Sequence, residues 1–139
     1  MVVLVNDRLS PFQRSRVMSR IRGKNTAPEM LVRGMVRGMG FGYRLHRRDL
    51  PGSPDLVFAG RKKVIFVHGC FWHQHACARG KRPSSNRRFW NSKLDANVQR
   101  DKRNIAALKD DNWQVLVVWE CETKDRTKLS ERLEEFLRN

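Results

Sequence analysis

The chain has 139 residues, the length of one ordinary domain, and 40% of them are hydrophobic, enough for a real core. Its 29 Lys and Arg stand against 14 Asp and Glu, and this formal net charge of +15 points to a polyanionic partner, nucleic acid first. No apolar run reaches the roughly 18 residues of a membrane span, residues 1–5 are too short for a signal peptide, and three cysteines are an odd number for a disulfide framework, so a cytoplasmic protein with no membrane contact is expected.

Residues 1–25 carry Arg8, Arg14, Arg16, Arg20, Arg22 and Lys24 against one carboxylate, Asp7. The stretch from Ser10 reads as a helix with Phe12, Val17 and Ile21 turned inward, a basic N-terminal arm that wraps the ligand. Residues 26–139 read as the body, within a single domain overall. Thr26-Ala27-Pro28-Glu29 spells a capping box with proline in the first turn; Leu31, Val32, Met35, Val36 and Met39 supply the buried stripe, and Gly40 and Gly42 end the helix. Residues 55–59, after Pro54, read as a strand, and Gly60-Arg61-Lys62 as a turn. Residues 63–68 read as a second strand, apolar on both faces and therefore central. Residues 69–91 read as a long loop. A helix is expected from Ser92 to about Lys109 with Leu94, Val98, Ile105 and Leu108 inward, then a third buried strand over residues 113–119. A last helix over about 124–137 buries Leu129, Leu133, Phe136 and Leu137. This order, α-α-β-β-loop-α-β-α, predicts an α/β fold: a mixed central sheet flanked by helices.

The densest chemistry lies in His68-Gly69-Cys70-Phe71-Trp72-His73-Gln74-His75-Ala76-Cys77, with Cys121 just after the third strand. Zinc favours four sulfur or imidazole donors in a tetrahedron. Cys70, Cys77, Cys121 and one histidine between the first two make such a set, and spacing leaves His73 and His75 both open as the fourth ligand. The site would tie a long loop to the end of a core strand.

Asp55 opens the first strand. A turn at residues 60–62 brings it across from Phe66 and Val67, so its carboxylate faces a main-chain carbonyl near the end of the second strand, with His68 one residue away. Carboxylates suit magnesium, which polarises a scissile phosphate, and a neighbouring imidazole can take the proton of an attacking water. Glu29 has a purely structural alternative, since position three of a capping box commonly holds Glu. Phe71, Trp72, Phe89 and Trp90 lie among Arg79, Lys81, Arg82, Arg87 and Arg88. Rings amid cations can wedge between base pairs while the cations hold phosphates; the alternative is a small core over the metal loop.

The run from Phe66 to Cys77, with upstream Leu50-Pro51-Gly52-Ser53-Pro54-Asp55 and downstream Val118-Trp119-Glu120-Cys121, resembles the very short patch repair (Vsr) DNA mismatch endonucleases, from about Ser15 to Leu137. The resemblance implies a restriction-endonuclease-like fold with a structural zinc site. It implies Mg2+-dependent nicking of one strand of double-stranded DNA, 5′ to the thymine of a T:G mismatch left by deamination of 5-methylcytosine. Carried over by position, Asp55, His68, His73 and Glu29 become catalytic, and Asp55 and the main-chain carbonyl of Val67 become the Mg2+ ligands. Cys70, His75, Cys77 and Cys121 become the Zn2+ ligands, which decides for His75 over His73. Phe71, Trp72 and Trp90 become wedges beside the mismatch, Met18 contacts the DNA from the other groove, and Arg22 and Lys24 of the arm join the DNA contacts. A monomer is expected, with mismatch-repair proteins open as further partners. Two departures stand out: Val67 occupies a position where the family can carry threonine, and the second strand lacks the catalytic lysine of related nucleases, so histidine chemistry has to replace it. A zinc-bearing DNA-binding protein without catalysis is the competing reading, and a nuclease cutting both strands of matched DNA a third.

Overall fold

The structure, a computed structural model, describes residues 25–139; the expected arm, with Met18, Arg22 and Lys24, lies outside the described residues. Helix α1 spans Ala27–Gly38. Thr26 is its N-cap, its hydroxyl accepting the Glu29 N–H at 3.4 Å, and Pro28 sits in the first turn, where no amide partner is missed. The reciprocal arm of the expected capping box is not made. The Glu29 carboxylate accepts instead from the N–H of Asn25 at 3.3 Å and turns toward Arg33 and His46.

Strand β1 (Arg44–Leu45) is a two-residue edge too short to announce itself by alternation, and the sequence reading missed it. Strand β2 (Leu56–Phe58) leads through a 3-10 turn at Ala59–Arg61, with Lys62 at φ 52, into β3 (Lys63–His68). Helix α2 runs Arg87–Asp110, strand β4 Gln114–Trp119, a 3-10 turn Glu120–Lys124 and helix α3 Arg126–Arg138. The start of α2 at Arg87 rather than Ser92 is a correction. Trp90 and Leu94, one turn apart, are both fully buried, so side-chain packing extends the helix past the local start signal at Ser92.

The sheet order is β1-β2-β3-β4, antiparallel at the first two pairings and parallel between β3 and β4. A parallel pair needs a long crossover, and α2 supplies it. Period-two alternation sends Leu56, Ile65 and Val118 to one face, where they pack with Val32 and Val36 of α1 and Leu129, Leu133 and Leu137 of α3. Val57, Val64 and Phe66 face the other way, against Leu108 of α2 and Trp113. The mixed sheet thus lies between helices, and β3 is central as its apolar run predicts. By contrast β4 has one neighbour among the described residues and is mostly half-exposed rather than buried. The lysine of β3, Lys63, lies at the strand's beginning and is buried; its ammonium donates to the carbonyls of Phe136 at 2.6 Å and Leu137 at 3.4 Å, at the end of α3.

Candidate active site and metal centre

The parallel register pairs His68 with Trp119, and each is followed two positions later by a cysteine, Cys70 and Cys121, so the two thiols meet beyond the same end of the sheet. His75 Nδ1 lies 3.4 Å from Cys121 Sγ and 3.8 Å from Cys70 Sγ, and the donor atoms of Cys70, His75, Cys77 and Cys121 all lie within 4.8 Å of one another. Bonds of about 2.1–2.3 Å in a tetrahedron put donor atoms about 3.4–3.8 Å apart, so this cluster fits a structural zinc ion. The His75 ring stacks on Trp119 at 4.3 Å, which fixes its orientation. Burial pushes the Cys70 thiol up to about 12, with the neighbouring thiols adding to the effect; a cation amid the sulfurs reverses that preference. Gly80 is required here, because a Cβ would strike the carbonyl oxygen of His75. Of the two histidines open by spacing, His73 joins a different cluster.

That cluster is His68, His73 and Asp101. The two imidazoles stack at 3.8 Å with planes 5° apart, and Asp101, on α2, contacts His73 Nδ1 at 2.5 Å. One turn earlier on α2 the buried Asn97 donates to the carbonyl of Trp72 at 3.2 Å, so the helix holds the loop at two successive residues. Burial, with His73 adjacent, pushes His68 down to about 3, so its ring is neutral at ordinary pH. An imidazole whose Nδ1 is held by a carboxylate presents Nε2 as a base. Asp101 carries no sequence signal of its own, being one acid among the charges of a long helix.

The third cluster is Glu29, His46 and Asp55. Asp55 precedes β2 beside the end of β3, as the hairpin register predicts, but its Oδ2 accepts the N–H of Val67 at 2.6 Å rather than facing that residue's carbonyl. Electrostatics explain the difference: a carboxylate only accepts, so it pairs with the strand's donor. Burial raises Asp55 to about 7 against the opposing effect of that bond, Glu29 raises it further, and Arg33 lowers it. Glu29 is buried, its Oε2 2.7 Å from His46 Nε2 and in contact with Arg33. His46, which sequence reasoning passed over, was detectable only as a histidine near the Pro54-Asp55 pair.

Phe71, Trp72, Phe89 and Trp90 form a ring cluster, Phe71 lying 5.2 Å from Trp72 and 5.5 Å from Trp90, with Leu94 beneath. Trp90 is fully buried and Trp72 nearly so; Phe71 is half-exposed. The indole N–H of Trp90 has no hydrogen-bond partner among the described residues. Arg87, Arg88 and Lys81 are exposed nearby, whereas Arg82 is tied to Gln74, Asn91 and Asp95.

Residues 6–79 match the family model of the DNA mismatch endonuclease Vsr. The chain belongs to the Vsr family of DNA mismatch endonucleases. The DNA mismatch endonuclease Vsr of Escherichia coli (strain K12) is 42% identical over 129 residues, covering 89% of this chain and 83% of that protein. The type II nicking enzyme V.XorIIP of Xanthomonas oryzae pv. oryzae is 49% identical over 133 residues, covering 96% and 98%. Among solved structures, the catalytic domain of the homing endonuclease I-Bth0305I matches with a TM-score of 0.56 over 81% of this chain and 94% of that chain, a likeness of fold at 23% identity. This Vsr-family chain is therefore a DNA endonuclease with the restriction-endonuclease-like α/β fold that its motifs imply. No helix among the described residues is long and apolar enough to cross a membrane.

Proposed function

We propose that this endonuclease nicks one strand of duplex DNA 5′ to the thymine of a T:G mismatch, with Mg2+ at Asp55 and a structural Zn2+ at Cys70, His75, Cys77 and Cys121. The observation that carries the catalytic part is at the end of β3, where the Val67 N–H holds the Asp55 carboxylate and the next residue, His68, stacks on the His73 ring that Asp101 anchors. The Val67 N–H holds Asp55 Oδ2, which leaves Oδ1 for the ion; Glu29 stands behind it, and the Val67 carbonyl remains the expected second ligand. Magnesium, when bound, polarises the phosphate and stabilises the charge that develops on it. His73 takes the proton of the attacking water, and Asp101 stabilises the resulting imidazolium. His68, buried and neutral, buttresses His73 by stacking and has no need to change charge.

Recognition is assigned to the ring cluster, with Phe71 as its leading edge. The unpartnered indole N–H of Trp90 supports this reading, because a buried donor without an acceptor loses less on leaving the cluster than a satisfied one. The arm, including Met18, Arg22 and Lys24, supplies further contacts, and reduced thiols fit a cytoplasmic setting. A monomer acting beside mismatch-repair proteins suits this reading.

The test is a nicking assay with Mg2+ on T:G and matched duplexes, with products resolved on native and denaturing gels. Asp55→Ala is expected to abolish nicking while leaving T:G duplex binding within a few-fold of wild type. A wild-type protein that binds but never nicks would make this a DNA binder without catalysis, and cuts in both strands of matched duplex would make it a restriction-type nuclease.

A further inference from the structure

His46 belongs to neither the cysteine cluster nor the imidazole pair, yet three features aim it at Asp55. It stands at φ 47, a left-handed conformation that costs a non-glycine residue about 1 kcal/mol or more. Its own N–H donates to the Asp55 carbonyl at 3.3 Å, which anchors the backbone of one residue to the other. Its Nε2 is enclosed, 2.7 Å from Glu29 Oε2 and 3.7 Å from Asp55 Oδ1, but has no aligned hydrogen-bond partner among the described residues.

A buried imidazole nitrogen beside two carboxylates, with no aligned hydrogen-bond partner among the described residues, is a donor atom available to a cation. With bonds of about 2.1 Å, donors of one coordination shell lie about 3 Å apart at right angles and farther at wider angles, so the 3.7 Å between His46 Nε2 and Asp55 Oδ1 admits one ion between them. The competing positions are already filled. Asp55 Oδ2 is taken by the Val67 N–H, and Glu29 by the Asn25 N–H and Arg33, so Oδ1 of Asp55 is the carboxylate oxygen left facing the imidazole.

Resting on the metal reading above, we infer that His46 Nε2 is a protein ligand of the divalent ion held by Asp55, making the centre a mixed nitrogen–oxygen site. Such a site takes first-row transition ions more readily than an all-oxygen site does, whereas Mg2+ demands oxygen. Mn2+ is the suitable probe, since it is paramagnetic and does not compete for thiolates already closed by zinc.

The experiment titrates zinc-loaded protein with Mn2+ and records nitrogen modulation of its electron spin echo. Wild type is expected to show one Asp55-dependent Mn2+ with nitrogen coupling. His46→Gln removes the coupling and weakens Mn2+ binding about tenfold while Mg2+ binding changes less. Coupling that survives His46→Gln, or Asp55-dependent Mn2+ without any coupling, overturns the assignment and leaves the metal site itself standing. No Asp55-dependent Mn2+ at all would overturn the metal reading and this inference together. Should His46→Gln fail to fold, the doubly substituted His68→Gln, His73→Gln protein decides: coupling retained there supports His46, and coupling lost overturns it.

Discussion

Asp55 is held on one side by a strand N–H and pressed on the other by Glu29, and without a cation its burial favours the protonated form. Its folded pKa of about 7 lies above the ordinary carboxylate value, so the folded state binds this proton more tightly than the unfolded chain does. The stabilisation is complete below about pH 4 and is lost as pH rises through about 7. Chemical denaturation without added Mg2+ should show stability falling across that window, and Asp55→Asn should flatten the fall; an unchanged slope would show that Asp55 titrates normally. Asp101 makes the second prediction at this scale. Asp101→Asn should lower kcat by about 10²-fold or more and shift the pH profile, with T:G duplex binding retained, because the proposed base, His73, loses its orienting partner. An equal loss in binding would mean that Asp101 merely supports the loop. The Asp55 position was legible from the hairpin, since strand register is arithmetic. Asp101 and His46 were not, because a partner brought in by tertiary packing leaves no periodic trace.

Helix ends carry the next level. The last carbonyls of α3 lack partners within the helix, and Lys63 with Arg61 donates to them from the neighbouring hairpin, Arg61 Nη1 reaching the Leu137 carbonyl at 3.2 Å. Lys63→Met should therefore cost about 1–3 kcal/mol in unfolding free energy while leaving nicking at permissive temperature intact. A variant as stable as wild type would show that the ammonium is replaceable by solvent. Elements with a strong apolar period, α1, β3 and the interior of α2, were readable in advance. The two-residue β1 and the first turn of α2 were not, because one is too short for a pattern and the other is set by rings packing across a loop. The reciprocal arm of the capping box at Thr26 is missing for a related reason: the partly buried His46 and Arg33 draw the Glu29 carboxylate away from the helix start.

For the whole molecule, parallel pairing of β3 and β4 makes the cysteine cluster a clasp between two strand ends and the loop that bears His73 and the rings. Metal analysis of the purified protein should return one zinc per chain. Cys121→Ser should remove it, lower the melting temperature and abolish nicking, since structural zinc contributes folding free energy directly. Unchanged melting would dismiss the ligand set. Helix α2 joins these parts: it carries Trp90 of the ring cluster in its first turn, grips the loop through Asn97 and orients the His73 ring through Asp101. A helix advances about 100° per residue, so one inserted residue between Trp90 and Asp101 would rotate the acid away from His73 even if every side chain were preserved. The ring cluster and the His73 imidazole are thus locked in angular phase, and indels can be absorbed only outside that stretch of the rod.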